Sequence, residues 1–312
     1  MSDQVVRQTR TGDRVFKGLT LVSAIGIPLL MAGIFAVLYS GSREALGRFG
    51  WRFLISQDWD PVAKLFGAAS SVYGTLVSTL IAMALAVPLG LVIALFLVEL
   101  APPRLSKILG YGIELLAAIP SIIYGMWGLF VFAPFMAEHI QPWLGEHLGF
   151  LPLFQGPPMG LGMLTAGVIL ALMVLPFISS VMRDVFHMVP PIIKEAGYGM
   201  GATTWEVTRK IMVPYGISGL LGACFLGLGR AIGETMAVTF VIGNNHHVSA
   251  SLFEPANSIA STLANEFTEA AEPLYLNSLI GLGLVLFVMT ILIQIAAQLW
   301  LRGIQKKMGA PR

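Results

Sequence analysis

The sequence predicts an all-α integral membrane protein with six transmembrane helices. Hydrophobic residues make up 56% of the 312 residues and charged residues only 12%, and the mean hydropathy is +0.78. These values lie outside the range of ordinary soluble domains. A net charge of +2 without a basic run also argues against a nucleic-acid-binding protein.

Each predicted membrane helix is an apolar segment that contains the roughly 20 residues needed to cross a bilayer core. The segments are Gly18–Ser40, Val72–Val98, Tyr111–Ala137, Met159–Met182, Ile217–Gly243 and Leu274–Leu301. The first follows a basic start, so a cleaved signal peptide is the alternative. Its apolar run is longer than the roughly 7–15 residues of a signal core, which favours a retained anchor helix.

The distribution of lysine and arginine predicts the orientation. Fourteen of these residues lie in the N-terminal segment, 99–110, 183–216 and the C-terminal tail. Only four lie in the alternate set of connections, 41–71, 138–158 and 244–273. Because basic residues accumulate on the cytoplasmic side, we expect both termini to be cytoplasmic.

The connection 183–216 is too long for a simple link between two helices. Pro190 and Pro191 suit the first turn of a helix, where a missing N–H costs little. Ile192–Tyr198 can continue that helix until Gly199 and Gly201 end it. The pattern therefore predicts a first short helix and a glycine turn.

A second short helix follows the glycine turn. Thr203 and Glu206 have the spacing of a capping box, which predicts a helix from there to Pro214. Short isolated helices are marginal in water, so this pair must dock on something. The residues leave two alternatives, the ends of the protein's own membrane helices or a partner protein.

The same connection carries a motif. Its residues are Glu195, Ala196, Gly197, Gly201, Ile211 and Pro214. Their order and spacing resemble the EAA loop of binding-protein-dependent ABC importer permeases. Gly197 and Val213 depart from the family's alanine and leucine but keep small and aliphatic character. The resemblance implies that this EAA loop (residues 183–216) docks in a cleft of a cytoplasmic ATPase subunit and couples its closure to the membrane helices.

Longer stretches are similar to the permeases of phosphate ABC importers, from about Trp59 onward. They are Glu114–Pro134, Val181–Phe186, Leu226–Asn244 and Asn257–Phe267. The resemblance implies a type I ABC importer permease (MetI-like) fold in the bacterial inner membrane. The apolar segments and the resemblance together divide the chain into a cytoplasmic segment 1–17, an anchor helix 18–40, a permease domain 72–301 and a cytoplasmic tail 302–312.

The same resemblance implies the partners. They are a second permease subunit (PstA-like), two ATPase subunits (PstB-like), a periplasmic phosphate-binding protein (PstS-like), inorganic phosphate and membrane lipid. No Walker A motif, H-E-x-x-H motif or nucleophile elbow occurs in the sequence. We therefore expect a non-catalytic subunit that binds no cofactor, with ATP on the partner ATPase. The alternatives are a permease for another oxyanion or small solute, or a secondary transporter.

Two charges interrupt the fifth apolar segment. Arg230 lies near its middle, where an arginine costs roughly 2.5–3.5 kcal/mol and faces the bundle interior or a water-filled path. Glu234 follows at i+4, which on a continuous helix places both on one face, where they can pair. The pair is either a structural ion pair or a phosphate contact in which Glu234 moderates the affinity of Arg230.

The neighbouring residues suggest where this pair sits. Gly229, Gly233 and Ala237 recur every four residues, a small-xxx-small pattern that predicts a close helix–helix seam. A path between two permease subunits would run beside that seam. Thr235 and Thr239 also recur at a spacing of four residues. We expect their hydroxyls to bond to the backbone of their own helix, and the alternative is that they line the path.

Other polar and helix-breaking residues have simpler interpretations. Glu114 lies one turn inside the third segment, where a helix–helix contact or an approach to the interface is the expected role. Pro120 is expected to kink that segment or line a cavity. His246 and His247 are adjacent and lack a third ligand, so we expect no metal site.

Overall fold

The computed structural model describes the backbone of residues 2–307 and the side chains of residues 12–303. The helices are α1 Ser2–Gly41, α2 Arg43–Phe49, α3 Arg52–Ile55, α4 Ala69–Leu95, α5 Pro103–Ala117, α6 Ser121–Trp127, α7 Ala133–Phe135, α8 Gln141–Leu148, α9 Met163–His187, α10 Pro191–Gly199, α11 Thr204–Val207, α12 Val213–Ile232, α13 Met236–Thr239, α14 Ile259–Glu266 and α15 Pro273–Lys307. π-Helical turns extend or join them at Phe96–Leu100, Gly128–Phe132, Met136–Ile140 and Thr208–Met212.

Six helices in the described part of the chain are long and apolar enough to cross a membrane. They are Gly12–Gly41, Ala69–Leu100, Ser121–Leu148, Met163–His187, Thr204–Ile232 and Pro273–Gly303. The predicted number of membrane helices is therefore confirmed. The predicted bounds of the fifth helix were wrong, because it begins at the capping box of Thr203 and ends before Gly233.

The third membrane segment is interrupted near its start. α5 ends at Ala117 and α6 begins at Ser121, with Pro120 between them. Pro120 lacks an N–H and disfavours helical backbone at the residue before it. The Tyr124 hydroxyl donates a hydrogen bond to the Leu116 carbonyl, at 3.0 Å. A side chain thus replaces the helical bond that the break removes, and the predicted kink at Pro120 is confirmed.

The core of the molecule lies where α9 packs between α4 and α12. Gly90 of α4 and Gly227 of α12 both face Ile178 of α9. The branched side chain of Ile178 fills the space that side chains at these two glycines would occupy. Gly167 of α9 likewise receives Ile81 of α4. Glycine lets helix backbones approach closely in a membrane. These contacts fix α12, and therefore Arg230, against α9.

The first helix lies on the outside of this core. α1 runs beside α15, where the rings of Phe35 and Phe287 are 6.1 Å apart and Gly41 faces Ile280. The apolar window of α1 is otherwise exposed in the single chain. An apolar, unburied helix of this length fits a position against lipid or another membrane subunit.

The face opposite the EAA loop carries a small extramembrane layer. Strands β1 (Trp59–Asp60) and β2 (Leu65–Phe66) pair antiparallel, with Trp59 opposite Phe66. The loop after α13 and the helix α14 pack beside them, and Ser258 and Ser261 form a capping box at the start of α14. This layer closes one end of the bundle.

Candidate translocation site

Arg230 lies in the last turn of α12, and not near the middle of the fifth membrane helix as the sequence predicts, but it is beside the middle of α9. Its guanidinium carbon is 6.0 Å from the ring centre of Phe177, which is close to the midpoint of α9. The Arg230 side chain is exposed in this single chain. A charge at this depth is too costly to face lipid, so the exposed side must face a partner subunit or water.

The predicted ion pair between Arg230 and Glu234 was wrong. α12 ends at Ile232, so the two residues do not share a helix, and none of the ion pairs within residues 12–303 joins them. Instead, Glu234 Oε1 accepts a hydrogen bond from the backbone N–H of Ala237, at 3.2 Å. Glu234 therefore stabilises the start of α13 rather than balancing the charge of Arg230.

The break between α12 and α13 has a local cause. Gly233 has a low helix propensity, and the residues after it carry polar side chains that compete for backbone groups. Thr235 donates its hydroxyl hydrogen to the Gly233 carbonyl, at 3.3 Å. The interrupted backbone thus lies one turn beyond Arg230, at membrane depth, where irregular backbone is tolerated only inside protein or beside a water-filled cavity.

The predicted seam of Gly229, Gly233 and Ala237 was also wrong, because the helix does not continue through it. A side chain at Gly229 would approach Gln294 of α15, with 2.8 Å to its Nε2. Ala237 is buried instead against Gly125 of α6. Gly229 and Ala237 thus serve separate contacts within this chain, while Gly233 is exposed.

The two threonines beside the break bond to local backbone. The Thr239 hydroxyl donates a hydrogen bond to the Thr235 carbonyl, at 2.7 Å. The predicted bonding of this threonine to nearby backbone is therefore confirmed. Both side chains remain half-buried. Their contribution to a pathway stays a prediction.

The EAA loop forms the predicted helix, glycine turn and helix. Pro191 opens α10, Gly201 has a positive φ of 81°, and Thr203 and Glu206 form the predicted capping box. The second helix is not separate, however. It continues through Pro214 into α12, because Pro214 lies in the first turn of α12, where its missing N–H costs little.

The motif residues of the EAA loop divide between packing and exposure. Gly197 is buried where a side chain would collide with Ile211, so these two residues hold α10 against the following helix. Glu195 and Ala196 are exposed. Nearby, Met200 is 82% exposed. The loop thus presents an apolar surface without a cover in this chain, which favours a partner protein as its docking site.

An ion pair that spacing alone could not predict ties the EAA loop to α4. Lys194 Nζ lies 2.7 Å from Glu99 Oε1, and the two side chains are only 21% and 10% exposed. Glu99 belongs to the π-helical turn that ends α4. Because α4 packs along α9, this pair connects α10 to the core of the bundle.

A second ion pair lies on the same side of the molecule. Arg183 Nη2 is 2.7 Å from Glu114 Oε1, which confirms the predicted helix–helix contact of Glu114. The two residues are 69 positions apart, and only the packing of α5 on α9 brings them together.

Glu266 is the centre of a polar cluster at the opposite face. It accepts hydrogen bonds from Trp59 Nε1 at 2.6 Å, from the Tyr275 hydroxyl at 2.7 Å and from His246 Nε2 at 2.9 Å. The Trp59 ring also stacks on His246, with centroids 5.4 Å apart. Burial works to raise the pKa of Glu266, but these hydrogen bonds and the His246 charge outweigh it and lower that pKa.

Groups of His, Cys, Asp and Glu that could hold a metal ion are absent from the described residues. His246 is engaged with Glu266 and with Asn257 Nδ2, at 2.8 Å. The histidine therefore belongs to a hydrogen-bonded network.

Comparison with known families gives a match over most of the chain. Residues 86–310 match the model of the binding-protein-dependent transport system inner membrane component. The phosphate transport system permease protein PstC of Mesorhizobium japonicum is 50% identical over 312 aligned residues, which cover 99% of this chain and 95% of the relative. The protein of the same name from Haemophilus influenzae is 51% identical over 301 residues, or 95% of each chain.

Solved structures share the fold at low sequence identity. A chain of the inward-facing MetNI methionine ABC transporter has a TM-score of 0.57 and 19% identity, covering 79% of this chain and 99% of that one. A chain of a bacterial alginate ABC transporter has a TM-score of 0.58 and 17% identity, covering 94% and 99%. At such identities the likeness shows the MetI-like fold alone.

Proposed function

Because this chain belongs to the binding-protein-dependent transport permeases and is about half identical to PstC proteins over nearly its full length, we propose that it is the transmembrane permease subunit of an ATP-driven phosphate importer. It forms half of the path that inorganic phosphate follows across the membrane. The observation that carries this function is the near full-length similarity to phosphate permeases, together with an EAA loop that offers an uncovered apolar surface.

The chain works with separate partner subunits. The EAA loop docks on an ATPase through its exposed residues around Glu195 and Ala196, while Gly197, Gly201 and Ile211 keep its shape. A PstA-like second permease forms the other half of the path, and two PstB-like ATPases hydrolyse the ATP. A PstS-like binding protein delivers phosphate. This chain holds neither the catalytic machinery nor a cofactor.

The orientation follows from this docking. The EAA loop lies in the cytoplasm with both termini, and the extramembrane layer around Glu266 faces the periplasm, where the binding protein arrives. The excess of lysine and arginine on the EAA-loop side supports this arrangement.

Arg230 is the residue that meets phosphate in the membrane. Its guanidinium is always charged and offers several donors to a tetrahedral oxyanion. The break at Gly233 places Glu234, Thr235 and Thr239 directly beyond it, where they shape the path on the periplasmic side. With no carboxylate bonded to Arg230 within residues 12–303, its affinity for phosphate is limited by water and by the partner subunit.

Reconstitution tests this function. The chain is co-expressed with the second permease and the ATPase, purified as a complex and placed in vesicles with ATP inside and binding protein plus labelled phosphate outside. Uptake should require all subunits and stop when the ATPase is inactivated by mutation of its Walker A lysine. Transport by this chain alone, or a preference for sulfate over phosphate, would contradict the proposal.

A further inference from the structure

A cavity of about 450 Å³ opens at the end of α9 that leads into the EAA loop. Side chains of both charges and an aromatic hydroxyl converge on it. They are Lys107, Tyr111, Glu114, Arg183, Asp184 and His187. A concave site with a few convergent polar groups is typical of a ligand-binding position.

Arg183 is built into the wall of this cavity. Its Nη2 is bonded to Glu114 at 2.7 Å, and Asp184 lies further away, at 3.7 Å. Its side chain is only 17% exposed. Gly110 of α5 makes room for the guanidinium, because a side chain there would collide with Nη1 of Arg183. Both α5 and α9 therefore hold this charge in one position.

An open face of α9 connects Arg230 with the cavity. Phe177, Ser180, Asp184 and His187 follow one another at steps of three, four and three residues, so they lie on one face of the helix. All four are partly or fully exposed, whereas Ile178, Ser179 and Met182 are buried. From Phe177, beside Arg230, to Asp184 the distance along the helix is about 10 Å.

We propose that Arg183, held by Glu114, is a second binding site for a phosphate group, on the exit side of the same path. This inference rests on the proposed function. Arg183 supplies charge-assisted donors and Lys107 a second positive charge. Glu114 competes with the ligand for the guanidinium and Asp184 repels it, so binding stays weak enough for release. The phosphate group belongs either to the transported ion or to a lipid headgroup at this membrane surface.

The test uses the reconstituted complex with ATP and graded unlabelled phosphate inside the vesicles, and measures how internal phosphate inhibits uptake of labelled phosphate. Glu114→Gln frees the guanidinium and should strengthen this inhibition several-fold. Arg183→Gln should weaken it several-fold and lower uptake per ATP hydrolysed, and Arg183→Lys should recover part of both. Arg104→Gln, an exposed cation of α5 outside the cavity, is the matched control and should change neither.

Vesicle composition separates the two sources of the phosphate group. The same variants are measured in phosphatidylcholine vesicles with and without phosphatidylglycerol. A lipid occupant leaves the inhibition by internal phosphate unchanged, but makes uptake depend on phosphatidylglycerol in the wild type and not in Arg183→Gln. Unchanged inhibition and unchanged lipid dependence in the variants would overturn the site.

Two controls keep the result interpretable. Co-purification of the ATPase shows whether each variant complex assembles. If Arg183→Gln does not assemble, the inhibition measured with Glu114→Gln tests the site, because this variant retains the positive charge of Arg183. Wild-type vesicles that take up no phosphate at all would count against the proposed function, whereas wild-type uptake with indifferent variants counts against this site only.

Discussion

Two arginines in this chain differ in how their charge is balanced. Arg230 has the ring of Phe177 beside it and an exposed side chain, whereas Arg183 is bonded to Glu114. The sequence predicts that a carboxylate pairs with Arg230 and limits its affinity for an anion. In the structure the arginine with such a carboxylate is Arg183. The reason is that i+4 spacing pairs residues only on an unbroken helix, and the helix ends at Ile232.

The close contact between Gly110 and the guanidinium of Arg183 gives a testable prediction. Gly110→Ala puts a methyl group where the guanidinium lies, so Arg183 must shift away from Glu114. Phosphate uptake per ATP in reconstituted vesicles should fall several-fold. Gly112→Ala, on the same helix with open space around it, should leave uptake unchanged, and equal effects of both changes would refute the explanation.

Elements are held together here by glycines and by long-range ion pairs. The apolar segments, the capping box of Thr203 and the turn at Gly201 were predictable, because each depends on residues close in sequence. Lys194 with Glu99 and Arg183 with Glu114 were not, since 95 and 69 positions separate the partners. Only helix packing defines those pairs, and no local pattern encodes it.

The close packing of α12 on α9 at Gly227 gives a prediction about stability. Gly227→Ala would bring a methyl group to 2.5 Å from Ile178 Cδ1, and overpacking of this kind costs about 1–3 kcal/mol. The midpoint of thermal unfolding in detergent should fall. Gly222→Ala, on the same helix without neighbours within 4 Å, should raise it slightly, because alanine favours a helix by about 0.5–1 kcal/mol. Shifts in the same direction would contradict this packing.

The Glu99–Lys194 ion pair gives a prediction about the coupling between ATP hydrolysis and phosphate transport. Glu99→Gln leaves Lys194 partly buried without its counter-charge, which loosens α10 from the end of α4. ATP hydrolysis should continue while the phosphate carried per ATP falls. The reversed pair, Glu99→Lys with Lys194→Glu, should restore part of the coupling. A reversed pair no better than its single variants would mean that the contact does not transmit motion.

At the scale of the whole molecule, the Glu266 cluster joins segments that are distant in sequence. It ties β1, the loop after α13, α14 and the start of α15 at the end of the bundle opposite the EAA loop. The positions of Trp59 and His246 in the sequence do not reveal that the two residues share the carboxylate of Glu266.

The cluster predicts a pH dependence of stability. The pKa of Glu266 in the folded protein is below its ordinary value near 4.5. Its contribution is therefore fully present above about pH 4.5 and is lost as the pH falls through the lower folded value. The thermal midpoint in detergent should drop over this acidic range, and Glu266→Gln should reduce that drop. Glu269→Gln, an exposed neighbour, should not, and equal pH profiles for the three proteins would exclude the cluster as the cause.

Phosphate uptake by the Arg230→Gln complex tests the central claim most directly. In vesicles with ATP inside and loaded binding protein outside, the complex should assemble and hydrolyse ATP. Its uptake should fall by about tenfold or more, because hydrogen bonds to a charged group contribute about 1.5–3 kcal/mol. Arg230→Lys should keep part of the uptake. Wild-type uptake rates from Arg230→Gln would show that phosphate does not meet this residue and that the path lies elsewhere.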